Sequence, residues 1–263
     1  MSRPTSARST RAGGEGSRGS SPLLRALQGY FAASELPLTV LVFLLPLLVL
    51  YEVGTRYFAI DWIRQAETRV LAFTMMREFM EMFGANGRYL PSLAVVGILL
   101  TWHIARKDSW QLQVGTAMGM VVESALLGLP LLALSNLLRH YLPLYVAGNA
   151  TRGFVLAIGA GIYEELVFRL VAFTLLNILL IDLLRIQKGP AYLLIVLSSA
   201  FLFAAYHYWS PQSAPFRLSD FVFRTVAGVY FGALFMARGF GVTAGSHVAY
   251  DMYYFALRAM AGM

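Results

Sequence analysis

Glu164-Glu165-Leu166-Val167-Phe168-Arg169, Phe203-Ala204-Ala205-Tyr206-His207 and His247-Val248-Ala249-Tyr250-Asp251 are three short polar signatures within long apolar stretches. Each lies where the surrounding residues read as a membrane-spanning helix. An ionised side chain at the bilayer centre costs at least ~2.5–3.5 kcal/mol, so such residues face a protein interior and usually carry function. Two glutamates, an arginine, two histidines and an aspartate suit the activation of water. A glutamate in a partly dry cavity is tuned as a general base by desolvation and by a nearby Arg or His⁺. Histidine can donate a hydrogen bond to a developing oxyanion. The same set admits an inorganic alternative, in which His207, His247 and one or two carboxylates hold zinc or another divalent metal with an open water position. The soluble zinc-protease spacing HExxH does not occur, which weakens that alternative. Ligands drawn from separate helices keep it open.

Spacing supports convergence. Residues four apart on a helix share a face, so Glu165 neighbours Arg169, Phe203 neighbours His207, and His247 neighbours Asp251. Glu164 projects about 100° around from Glu165. Glu165 can therefore pair with Arg169 while Glu164 faces a cavity. At ~1.5 Å per residue, Glu164 lies roughly 17 Å from the start of its span. His207 ends the next, antiparallel span, and His247 and Asp251 fall mid-span in the last helix. The three signatures can meet in one half of the membrane.

The elements that must position them are transmembrane helices. The 263 residues are 58% hydrophobic and only 13% charged, against roughly 25% charged in soluble domains. Mean hydropathy is +0.62. Spans are expected at 36–53, 90–105, 114–138, 153–181, 191–209, 220–237 and 240–258, which makes an all-α polytopic bundle of about seven crossings. Residues 67–83 are too short and too charged to cross and suit an amphipathic helix at the interface. Three regions follow: a disordered basic tail over 1–22, N-terminal spans with the amphipathic segment over 23–149, and a four-helix catalytic core over 150–263. The net charge of +7 reads as orientation and anionic-lipid contact, not nucleic-acid binding. Arg3, Arg8, Arg11, Arg18 and Arg25 favour a cytoplasmic N-terminus. Without cysteine there is no disulfide, thiolate metal site or cysteine nucleophile. Gly115/Gly119, Gly228/Gly232 and Gly241/Gly245 would let helix backbones approach closely.

Structural readings compete with these. Glu164, Glu165 and Arg169 could be a buried ion pair, but two acids for one base leave a carboxylate over. His207, beside Tyr208 and Trp209, could belong to an aromatic belt. His247 with Asp251 could be a helix–helix hydrogen bond. His103 with Arg106 and Lys107 reads as a snorkelling helix end, and His140 as a loop residue. Asp220 and Arg224 are spaced to neutralise each other. Glu123, mid-span in the third helix, could face the site, pair with Arg224 or sit in a polar crevice, and is assigned no role.

EExxxR, then FxxxH, then HxxxN/D on successive membrane helices resembles the CAAX-protease and bacteriocin-processing (CPBP, "Abi") family of intramembrane endopeptidases. The resemblance covers about residues 150–258. It implies hydrolysis of a peptide bond by a glutamate-activated water, with metal catalysis as an older proposal for the family. Carried onto this chain, it makes Glu164 the general base, with Glu165 and Arg169 orienting and charge-balancing it. His207 would position the water and His247 would stabilise the oxyanion. Asp251 stands where the family often has Asn. An Asn amide donates to an oxyanion and an ionised Asp does not, so Asp251 would orient His247, stay protonated or ligate a metal. The implied partners are a membrane-associated protein or peptide substrate, prenylated CAAX proteins among them, and the lipid bilayer. The expected location is a bacterial plasma membrane. A proton- or cation-coupled transporter is the main alternative, although neither an inverted repeat nor paired broken helices is evident. A non-catalytic membrane scaffold of the same fold is the other.

Overall fold

A computed structural model describes residues 21–61, 66–141, 150–209 and 215–260. The basic tail expected at the N-terminus falls almost wholly outside them. The first helix, α1 (Pro22–Ser34), is started by Ser21, whose Oγ accepts the Leu24 N–H, and by Pro22 in its first turn. Helix α2 (Pro37–Phe58) leads to a two-residue antiparallel bridge, β1 (Ile60–Asp61) with β2 (Ala66–Glu67). Then come α3 (Leu71–Glu81), α4 (Leu90–Arg106) and α5 (Val114–Tyr141). Helix α6 spans 150–183, and α7 (Lys188–Tyr206) and α8 (Leu218–Met260) complete the bundle. The architecture is all-α.

Among the described residues five helices are long and apolar enough to cross a membrane, and α4 is a shorter apolar helix. The last two expected spans are both within α8, which folds back on itself at Gly239. The backbone there has φ 71° and ψ −174°, a conformation open to glycine and strained for other residues. A straight helix would hold Phe231 and His247 about 24 Å apart. Their rings instead stack with centroids 4.5 Å apart. Residues 218–238 and 240–260 are thus two arms of a helical hairpin. Outward faces of the spans stay apolar, as Val49, Leu50, Val122, Leu126, Leu193 and Phe201 show. Such an inside-out surface suits a lipid solvent, where the helices satisfy their own backbone groups.

The amphipathic segment forms α3, shorter than the 67–83 expected because Glu67 is taken into the β bridge. Its inner face buries Ala72 and Phe73, while Phe79, Met82 and Phe83 are exposed. An ionic cluster holds its N-terminal end. Arg69 pairs with Glu52 at 2.7 Å and Glu67 at 2.9 Å, and lies over the Phe73 ring at 4.6 Å. Glu67 also pairs with Arg88, and Ser92 hydrogen-bonds both Glu52 and Tyr163. The rings of Tyr51, Phe73 and Tyr163 close the cluster, with centroids 5.1–5.8 Å apart. Helix α3 is therefore packed against the helix that carries the glutamates.

Two peripheral expectations change. His103 is buried, not snorkelling, and packs edge-on against Trp110 with centroids 4.4 Å apart. His140 lies within the last turn of α5, not in a loop. Of the glycine pairs, Gly228 and Gly245 do sit against neighbouring helices, whereas Gly115 faces open space.

Candidate active site

Helix α6 is not a regular α-helix where it matters. It is α-helical over Ala150–Gly159, then passes through π-helical turns at Ala160–Glu164 and Leu166–Val171. Such wide turns are rare and cluster at functional sites. Gly161 lets this stretch approach the second arm of α8: a Cβ there would lie 2.7 Å from the Ala244 carbonyl oxygen and the Val248 nitrogen. The close approach brings Glu164 and Glu165 against His247.

The structure brings all six residues singled out in the sequence into one cluster. Glu165 and Arg169 are fully buried, and Glu164 and His247 are 6% and 5% exposed. Arg169 meets Glu165 with two nitrogens, Nη1 to Oε1 and Nε to Oε2, each at 3.1 Å. Its Nη2 donates to the Gly228 carbonyl at 3.0 Å, and its guanidinium lies over the rings of Phe203 and Phe231. Burying such a charge is tolerable only with this degree of pairing.

Glu165 has a second partner. His247 Nδ1 lies 2.7 Å from Glu165 Oε1, and Phe231 stacks on the imidazole at 19°. The Nδ1–H donates to the carboxylate, which turns Nε2 toward Glu164. His207 is oriented in a parallel way: its Nδ1–H donates to the Phe203 carbonyl at 2.7 Å, leaving Nε2 outward. Both free nitrogens face one oxygen. Glu164 Oε2 is 4.0 Å from His207 Nε2 and 3.9 Å from His247 Nε2. These gaps are too long for direct hydrogen bonds. Asp251 Oδ2 lies 3.7 Å from His247 Nε2, with its side chain 22% exposed, on the more open side.

Among the described residues, no group of three or more His, Cys, Asp or Glu side chains is arranged to hold a metal ion. His247 Nδ1 is engaged by Glu165, and no step is routed through a metal.

Sequence reasoning missed three supporting residues. Tyr206, adjacent to His207, donates to Glu164 Oε1 at 2.9 Å. Phe231 orients His247, and the Gly228 carbonyl completes Arg169. Two had a signal available: Tyr206 lies inside one of the quoted signatures, and Gly228 belongs to one of the small-residue pairs. Arg224, expected opposite Asp220, donates to the Tyr208 hydroxyl at 2.9 Å.

Residues 147–253 match the sequence model of a family described as "Rce1-like: Type II CAAX prenyl endopeptidase Rce1-like". Over this region the chain is similar to the Rce1-like family. The match contains Glu164, Glu165, Arg169, His207, His247 and Asp251, and it agrees with the CAAX-protease resemblance carried by the three signatures. No curated protein and no solved structure matches the chain. The likeness supports protease activity of the CAAX type in general. Together with the apolar spans, it supports an integral membrane protein whose substrate is a membrane-associated protein.

Proposed function

We propose that the chain is a glutamic intramembrane endopeptidase that hydrolyses a peptide bond in a prenylated, CAAX-type protein. The observation that carries the mechanism is the gap between Glu164 Oε2 and the two histidine Nε2 atoms. A water there donates one hydrogen to Glu164 Oε2 and the other to His207 Nε2, whose tautomer is set by the Phe203 carbonyl. Its oxygen lone pair is then free to attack the scissile carbonyl. Glu164 takes the water's proton as the C–O bond forms, and returns it to the amide nitrogen as the C–N bond breaks. His247, as imidazolium balanced by Glu165, donates Nε2–H to the oxyanion of the tetrahedral intermediate. Arg169 holds Glu165 in place, and Asp251 adds negative charge beside His247.

The prenyl substrate is supported by the printed description of the family, and the metal-free route by the donor arrangement. The test is cleavage of a fluorogenic prenylated CAAX peptide by detergent-purified protein, with its unprenylated counterpart as control. Activity that survives a chelator and is lost in Glu164→Gln supports the reading. Activity lost to the chelator and restored by a divalent metal overturns the metal-free route, and equal cleavage of both peptides overturns the prenyl requirement.

A further inference from the structure

Tyr206 is the one polar side chain that touches Glu164 at hydrogen-bond distance among the described residues. It belongs to α7, immediately before His207, and its ring is buried against Phe168 and the His207 imidazole. Its hydroxyl is used twice. It donates to Glu164 Oε1 at 2.9 Å and accepts the Ala72 N–H at 3.1 Å. Ala72 is fully buried in the first turn of α3, where backbone N–H groups have no partner within their own helix. The Arg69–Glu52–Glu67 cluster and the Tyr51, Phe73 and Tyr163 rings hold that turn in place.

From this we infer that Tyr206 is a positioning residue for Glu164, and that α3 is the anchor from which it acts. The inference rests on Glu164 being the base. Pinning Oε1 leaves Oε2 as the oxygen that faces His207 and His247. Without the hydroxyl, the carboxylate rotates freely about its last torsion and Oε2 loses its fixed aim. The N-terminal amide of α3 in turn keeps the phenol's proton directed at Glu164, because the oxygen already accepts from Ala72. An amphipathic helix outside the matched family region is thereby wired to the reacting carboxylate.

The test is Tyr206→Phe, which keeps the ring and removes both hydrogen bonds. The expected result is a fall in kcat of about 10- to 100-fold, the scale of a small misplacement of a catalytic group. KM should stay at the wild-type value, the signature of an interaction that acts in the transition state, while the melting temperature falls only modestly as the buried Ala72 N–H loses its acceptor. A second readout is independent of turnover: the carboxyl stretching band of Glu164, assigned by its disappearance in Glu164→Gln, shifts in Tyr206→Phe. Wild-type kcat in Tyr206→Phe, or an unshifted band, overturns the inference. So does failure of the variant to fold, which would make the hydroxyl structural. If instead Glu164→Gln cleaves normally, the proposed base is wrong, and the band shift still reports whether the contact exists.

Discussion

Two charged clusters of this bundle, one buried and one part-buried, are built differently. The first joins Glu165, Arg169 and His247, with Glu164 beside them. The second joins Glu123 of α5, Arg238 at the α8 fold-back, and α1. There Arg238 Nε meets Glu123 Oε1 at 2.6 Å, and its Nη2 meets Glu123 Oε2 and Ser34 Oγ, both at 2.9 Å. The Tyr30 hydroxyl donates to the same carboxylate at 2.6 Å, and burial together with Glu123 pushes its phenol well above the ordinary value, so it stays a donor. The Phe31 ring covers the guanidinium at 4.2 Å. Both oxygens of Glu123 are answered. At the candidate site, Glu164 Oε2 stands 3.9–4.0 Å from two histidine nitrogens, beyond hydrogen-bond distance. A saturated cluster clamps helices, whereas one with unspent donors and acceptors has capacity left for a reactant.

The largest effect expected from breaking this contrast is in Glu164→Gln. It keeps the shape of the side chain but removes the base, and cleavage of the prenylated peptide should fall by about 10²–10⁴-fold. Its melting temperature should match wild type, because Arg169 is paired to Glu165 and not to Glu164. Arg169→Gln should act on the fold first. It leaves the fully buried Glu165 with His247 alone, at a cost of about 3–5 kcal/mol, seen as a lower midpoint of thermal unfolding in detergent. Arg238→Gln should cost less, about 1–3 kcal/mol, because Tyr30 still donates to Glu123 and Glu35 is solvent-exposed. The folded fraction of Arg238→Gln should keep its kcat, and a loss of kcat without loss of fold would erase the distinction between the clusters. Asp251→Asn should have the smallest effect, about threefold or less in kcat in either direction, since Oδ2 makes no hydrogen bond to His247.

The six candidate residues could be singled out because each signature is local. Glu165 and Arg169, or His247 and Asp251, meet through helical periodicity alone, and a charge in an apolar stretch stands out against its surroundings. Glu123 shows the limit. Its polar nature was evident, but its partner is Arg238, far along the chain, and not the Arg224 that spacing along the last spans brought to mind. The π-helical turns of α6 leave no mark in the pattern of apolar residues, because widening a turn by one residue hardly changes which residues are apolar. The docking of α3 was invisible for a related reason. Its interfacial character follows from composition, while its hold on Tyr206 runs through a backbone N–H that carries no residue identity.

What the sequence determined by itself is the solvent and the chemistry. An apolar composition with segments near bilayer length can satisfy its backbone only as helices, and the charges retained within them name the groups able to activate water. What only the tertiary structure decided is which atoms of those groups remain free. His247 offers Nε2 because Glu165 holds Nδ1, His207 offers Nε2 because the Phe203 carbonyl holds Nδ1, and Glu164 offers Oε2 because Tyr206 holds Oε1. Hydrogen bonding is directional and each group has a limited number of donors and acceptors, so which atoms stay available is a property of the packed helices.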